Sequence, residues 1–222
     1  MDIEKIIKER HSVRKYLDKP IEKEKVDKLN KLIDKINKEN ELNIQLVLNE
    51  RSTFDKFFLN YGKVNAFNYL ALIGKDRKDL ETVLGYYGEM IVLEAQDLGL
   101  NTCWVSGTYS KREVIADIKD GERLVCIIAI GYGENQGIKR KSKSFKEVSY
   151  SIDVPDWYKK GIEYALLAPT AVNQQKFKFE LIDNNKVRLT PGIGLSNIKI
   201  DLGIVKYHFE LGADTKNFTW YE

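Results

Sequence analysis

Apolar residues along this chain follow helical spacing in some stretches and strand-like runs in others. Ile3, Ile6 and Ile7 share one helical face over 2–9, and that helix runs into a basic cluster at Arg10. Lys19-Pro20 breaks the chain. Val26, Leu29, Leu32, Ile33 and Ile36 then predict an amphipathic helix over 22–37, closed near Asn40, with its lysines on a solvated face. Strands follow at 43–48 and 69–73. Over 85–98 the apolar side chains Tyr86, Tyr87, Met90, Ile91, Val92, Leu93, Ala95 and Leu98 surround most of the helix circumference. Such a helix must be buried, and Gly99 suits its left-handed cap. A strand at 103–106 comes next, then a short helix at about 110–118 with Ser110 as its N-cap. A strongly apolar strand over 124–130 ends in Gly131-Tyr132-Gly133.

Residues 134–152 are polar, basic and Ser-rich, and read as a long connection with no packed element. The pattern then restarts. A helix over 157–167 leads into a turn over 168–175. A hairpin of 177–182 and 186–190 closes around Asp183-Asn184-Asn185. A helix over 201–211, capped by Gly212, precedes a final strand-like run reaching Trp220. Both halves thus read helix, strand, strand, helix, strand. Laying Leu98-Gly99-Leu100 on Leu211-Gly212-Ala213 also matches Ile91 with Ile204 and Val92 with Val205. Two unrelated amphipathic helices would match equally well, so the repeat needs independent support.

Composition narrows the function classes. The 222 residues suffice for one ordinary domain or two small ones, and 43% apolar content allows a real core. The chain is 31% charged, yet the signs nearly cancel at +3. A dedicated nucleic-acid binder would segregate a basic face, and the lysines at 139–146 are the one stretch that could serve such a role. Cys103 and Cys126 lie in apolar strand-like runs and read as buried small hydrophobes. With two cysteines and two histidines, no spacing suits a metal. The charged start over 2–10 is no signal segment, and no run approaches the roughly 20 apolar residues of a membrane span. A reduced, cytoplasmic protein with neither a membrane nor a nucleic-acid partner is expected.

Two short segments carry candidate chemistry. In Arg10-His11-Ser12-Val13-Arg14-Lys15-Tyr16, guanidinium forks and a hydroxyl can bind phosphate oxygens. If the segment is extended, Arg10, Ser12 and Arg14 point one way while His11 and Val13 point the other. Basic residues at a helix C-terminus also simply complement its dipole. In Ala168-Pro169-Thr170-Ala171-Val172-Asn173-Gln174-Gln175, stiff compact backbone lets a flat ring approach, and Asn173 can donate to and accept from a heterocycle edge. A plain helix-to-strand turn with polar residues would look the same.

Both segments resemble the FMN-dependent nitroreductase family. Its opening Arg-x-Ser-x-Arg/Lys-x-aromatic pattern is similar to Arg10–Tyr16 as quoted. Its Ala-Pro-Ser-x-x-Asn-x-Gln-Pro turn resembles Ala168 to Gln175, with Thr170 for the usual serine and Lys176 for the usual proline. Its Gly-Leu-Gly-Ser/Thr-Cys-Trp-Ile-Gly-Gly run resembles Gly99-Leu100-Asn101-Thr102-Cys103-Trp104-Val105-Ser106-Gly107. The strand ending in Gly131-Tyr132 adds a fourth likeness. One feature departs: the Ala-Pro-Thr turn stands in the second half of the chain, whereas in the family it follows the Arg-x-Ser motif after a single helix.

The resemblance implies an α+β, nitroreductase-like fold made of two degenerate repeats of helices around antiparallel and mixed sheets. The first half would be 1–150, and 151–222 would complete a pseudo-dimer in one chain. It implies an oxidoreductase passing hydride from NAD(P)H through FMN to a nitroaromatic, quinone or similar small-molecule acceptor, with no catalytic side chain required. Arg10, His11 and Ser12 would hold the phosphate end. Arg14 would lie toward the phosphate or the ring, where a cation raises the flavin potential. Val105, Ser106 and Gly107 would approach the ring from one half, and Pro169, Thr170 and Asn173 from the other. Arg140, Lys141 and Lys143 are alternative phosphate contacts. A monomer is expected, with a homodimer as the alternative. A protein that holds FMN with little turnover, for redox sensing, is the rival reading.

Overall fold

The computed structural model describes residues 2–55, 63–193 and 197–221. The chain forms two compact units that interleave in sequence. One comprises Glu9–Leu80 and Met90–Lys139; the other comprises Asp2–Lys8, Glu81–Glu89 and the chain from Arg140 onward.

The first unit is built on an antiparallel sheet of order β1-β2-β4-β3. Its strands are β1 (Gln45–Val47), β2 (Tyr69–Lys75), β3 (Asn101–Val105) and β4 (Glu122–Gly131). β2 and β4 pair from Tyr69 opposite Ala129 to Lys75 opposite Glu122, with a bulge between Leu72 and Ile73. β2 is buried on both faces as far as Gly74, the mark of a central strand. One face carries Tyr69, Ala71, Ile73, Cys103, Val105, Ile127 and Ala129, which pack with Val13, Tyr16, Phe54 and Tyr109. α2 (Lys23–Asn40) buries Leu29, Ile33 and Ile36 and leaves its lysine face in solvent, as its amphipathic spacing predicts. A four-residue helix, α3 (Ser52–Asp55), contributes Phe54.

α4 (Leu80–Asp97) supplies Glu81–Glu89 to the second unit and its remaining residues to the first. No residue from Leu80 to Gln96 is exposed, as its apolar circumference predicts. It ends in a Schellman motif. Leu100 N donates to Ala95 O (2.8 Å), Gly99 N donates to Gln96 O (3.0 Å), and Gly99 has the left-handed φ of 74° that this closure requires.

The second unit contains α1 (Ile3–Glu9) up to Lys8, α5 (Phe145–Val148), α6 (Asp156–Leu167) and α7 (Ile198–Ala213). Its sheet has the order β5-β6-β7. β5 (Phe177–Ile182) and β6 (Lys186–Pro191) form the expected hairpin, and β7 (Thr219–Trp220) joins β6 in parallel. Phe209 of α7 is the aromatic hub: it stacks on Phe179 at 4.7 Å and meets Phe218, Trp220 and Tyr158 at 5.2, 5.5 and 5.7 Å. Below it, His208 and Glu89 are fully buried together, with Nε2 and Oε1 2.9 Å apart. His208 Nδ1 lies 3.2 Å from Tyr164 O.

Three local expectations are corrected. The helix expected over 110–118 is a single 3-10 turn, Lys111–Glu113. Ile115 N donates to the buried Tyr69 hydroxyl (2.8 Å), and Asp117 N donates to Gln45 Oε1 (2.9 Å), so amides a helix would pair locally are taken by side chains from β1 and β2. The connection 134–152 contains α5, opened by a capping box in which Ser144 and Glu147 satisfy each other's backbone amides. Gly212 does not cap α7. It sits inside the helix, where a Cβ would come 2.5 Å from Lys160 O of α6, and the chain turns at Asp214.

Within the second unit α4 and α7 cross at two reciprocal glycines. A Cβ on Gly85 would lie 2.2 Å from Ile200 O, and one on Gly203 would lie 2.0 Å from Thr82 O. Both obstacles are backbone, which cannot rotate away. Gly85→Ala and Gly203→Ala are each expected to cost about 1–3 kcal/mol from overpacking, lowering Tm by roughly 3–10 °C in a chain of this size. Gly107→Ala, whose Cβ would meet nothing within 4 Å, serves as the control with unchanged thermal unfolding.

Candidate functional site

In the first unit the basic segment is held as a strand-like addition to the edge of the sheet. Ser12 bridges Thr102 of β3 in parallel fashion, and Val13 N donates to Thr102 O at 3.0 Å. Further on, Tyr16 bridges Gly133 and Leu17 N donates to Tyr132 O at 2.8 Å. Val13 and Tyr16 are buried and pin the segment to the core. Arg10, although charged, is only 4% exposed, while Arg14 is exposed. His11 turns back, its Nδ1 2.7 Å from Glu9 O.

Cys103 of β3 shares a buried cluster with Val13 of the segment. Burial pushes the thiol up from its ordinary value, and Arg14, Arg10 and Ser12 oppose that rise. Just beyond, β3 ends at the buried Val105, with Ser106 and Gly107 exposed at its exit.

Sequence reasoning missed the loop that supports this segment from outside. Asn101 Oδ1 accepts from Gly133 N (2.9 Å), and Asn101 Nδ2 donates to Gln136 Oε1 (3.0 Å). Gly137 has φ of 80°, and a Cβ there would come 2.6 Å from His11 Cβ and 3.1 Å from Ser12 O. Only glycine combines that backbone with that approach.

In the second unit the 168–175 turn leaves α6 at buried Ala168 and Pro169. Asn173 N donates to Thr170 O (2.9 Å), and Gln175 N donates to Thr170 Oγ1 (3.1 Å). Asn173 Nδ2 donates to Lys141 O (2.8 Å), while the buried Asn173 Oδ1 has no partner. The basic residues at 140–143 lie against this turn. Arg140 donates to Leu167 O (2.5 Å) and Ala168 O (2.6 Å), where a cation also suits the C-terminus of α6. Lys143 Nζ donates to Gln175 O (2.6 Å), its N donates to Gln175 Oε1 (2.8 Å), and burial with the nearby Lys176 lowers its pKa. Lys141 offers its carbonyl to the turn and leaves its side chain in solvent.

Asp201 of α7 was read only as the start of a helix, and no linear signal ties it to residues 30 positions away. It is 6% exposed. Its carboxylate accepts from Ala171 N at 3.0 and 3.2 Å and from Gln174 Nε2 at 3.0 Å. Burial pushes its carboxyl up to about 6, against the opposing effect of Gln174 and Ala171. The folded state therefore holds this proton more tightly than the unfolded chain. The resulting stability is complete below the ordinary carboxylate range near pH 4 and is lost as pH rises through about 6. The loss amounts to on the order of 3 kcal/mol at 1.36 kcal/mol per pKa unit. Denaturant titrations between pH 3.5 and 7 (roughly the interval set by this linkage) should show that decline in the wild type and a flatter profile for Asp201→Asn.

Comparisons with known proteins place this geometry. A family model described as "Putative TM nitroreductase" matches residues 2–213. No curated protein matches the chain. Among solved structures, the chain is similar to a putative nitroreductase from Thermotoga maritima, at 22% identity and a TM-score of 0.68 over 96% of this chain and 83% of that one. It is similar to a putative NADH dehydrogenase/NAD(P)H nitroreductase from Bacteroides thetaiotaomicron, at 22% identity and a TM-score of 0.51 over 68% of this chain and 97% of that one. A nitroreductase family protein from Streptococcus pneumoniae aligns at 16% identity and a TM-score of 0.52 over 66% and 98%. At these identities the structures speak for the fold, which is α+β and nitroreductase-like with two sheets. Since the family model spans nearly the whole chain, the protein belongs to that nitroreductase family.

Proposed function

We propose that the chain is an FMN-dependent oxidoreductase that moves hydride from NAD(P)H to a nitroaromatic, quinone or similar acceptor. The observation that carries this reading is the family match over residues 2–213 together with a basic segment, Arg10 to Arg14, held on the edge strand β3 through Val13 N and Thr102 O. A phosphate matches the fork of a guanidinium such as that of Arg10 or Arg14. Asn173 Oδ1 is buried without a donor, and a flavin ring offers an N–H edge.

In this reading Arg10 and Ser12 bind the phosphate. Arg14, being exposed, stays available to the phosphate or the ring. The open backbone at Gly107 admits close approach, since not even a Cβ there would touch protein. Pro169 and Thr170 give the turn a stiff, compact backbone, and Asn173 orients the ring through its free carbonyl oxygen. Arg140 and Lys143 act by holding the turn. When bound, FMN supplies the hydride acceptor and donor that the side chains lack. The further reading is of two degenerate halves, about 1–150 and 151–222. A monomer would then be competent.

The test is the visible spectrum of the purified protein with an FMN titration. Wild type is expected to be yellow, or to become so with added FMN, and to oxidise NAD(P)H with an added quinone. Arg10→Ala should weaken FMN by roughly 10- to 100-fold, the range for one hydrogen-bonded charge. A colourless protein that takes up no FMN would sink the proposal, and bound FMN without NAD(P)H oxidation would leave a flavin-holding protein in its place.

A further inference from the structure

The 168–175 turn holds a conformation that its own residues do not favour. Val172, Asn173 and Gln175 all take left-handed backbone, with φ of 46°, 54° and 45°. For a β-branched residue such as Val172 this is a strained outlier, and strain of this kind persists only where the surroundings over-determine it. Val172 gains nothing from packing, since it is 74% exposed. The force that holds the turn comes from elsewhere in the unit, and much of it comes from one side chain.

Asp201 meets the turn on both sides of Asn173, at Ala171 N and at Gln174 Nε2. Both donors are neutral. A buried carboxylate satisfied only by neutral donors costs free energy that an apolar residue would not, and its value must lie in accepting from two donors at once. The residue so bracketed is the one whose side-chain oxygen has no partner. We propose that Asp201 is a positioning residue for cofactor binding: by clamping Ala171 and Gln174 it keeps the strained turn in the one conformation that presents Asn173 Oδ1 to the N–H edge of a heterocycle. This role rests on the FMN reading. It distinguishes Asp from its relatives chemically. Asn can replace it if Gln174 reverses its amide, because one oxygen still accepts from Ala171 and the Nδ2 then meets Gln174 Oε1. Ala offers neither group.

Two measurements on the full chain test it. The first is the FMN dissociation constant of wild type, Asp201→Asn, Asp201→Ala, Asn173→Ala and the Asp201→Ala/Asn173→Ala double variant. Asp201→Ala should weaken FMN about tenfold or more, as expected for losing one charge-assisted contact, and Asp201→Asn should stay within about threefold of wild type by the same reasoning. The double variant should bind no worse than Asn173→Ala alone, because the clamp acts through Asn173. The second is amide exchange without FMN. The Asn173 N–H, bonded to Thr170 O, should exchange faster in Asp201→Ala and at the wild-type rate in Asp201→Asn, with the β5–β6 hairpin unchanged in both. Additive losses in the double variant, or an Asn173 amide indifferent to Asp201→Ala, would overturn the role. A wild type that binds FMN while Asp201→Ala binds it equally well overturns this role alone. A wild type that takes up no FMN overturns the proposed function and the role together, and the exchange data still report separately whether the clamp exists.

Discussion

The hydrogen bond from Val13 N to Thr102 O is the constraint on which the geometry of the basic segment depends. β3 lies at the edge of its sheet, and an edge strand offers unpaired backbone to any extended segment. The 10–16 segment takes that offer, and pairing imposes the two-residue alternation of a strand. Val13 goes into the core, so its neighbours on either side must face away. Arg14 is exposed accordingly. Without the pairing, the same residues would be a frayed helix end with charges dispersed in water.

The second unit solves a different problem. Its turn has too many left-handed residues to be stable alone, and it is held by side chains that come from far along the chain. Arg140 and Lys143 spend their donors on its carbonyls, Gln175 is buried at 1% exposure among Ser142, Leu166 and Lys143, and Asp201 closes the remaining side. A basic stretch that looks like a phosphate grip in one dimension is thus largely internal scaffolding in three. Burial and the nearby Lys176 hold the pKa of Lys143 below its ordinary value, with Glu147 opposing them.

Strong periodicities were legible in the sequence. The all-round apolar pattern of α4 announced its burial, Gly99 its cap, and Asp183-Asn184-Asn185 the β5–β6 hairpin. What failed was local pattern overruled by distant partners. Tyr69 and Gln45 draw the 114–118 backbone away from helix, and nothing near Ser110 in sequence hints at them. The capping box of Ser144 and Glu147 was readable and was masked by the polarity around it. Gly212 was read as a helix stop because glycine does two jobs, and here it serves the other, the close passage of α6. Within the site, the residue types of the 10–16 segment and Asn173 stood out, whereas Asp201 and Gly137 act through contacts that only the folded chain creates.

The buried His208–Glu89 pair carries an implication for how this fold can drift over generations. Each partner satisfies the other in the dry interior, so losing one strands a polar group at a cost of about 3–5 kcal/mol, while exchanging both for apolar residues of similar bulk is close to neutral. Single replacements there pass through a poorly folded ancestor. Descendants of this chain should therefore keep both residues or shed both together, and the two positions should be inherited as a unit although 119 residues separate them.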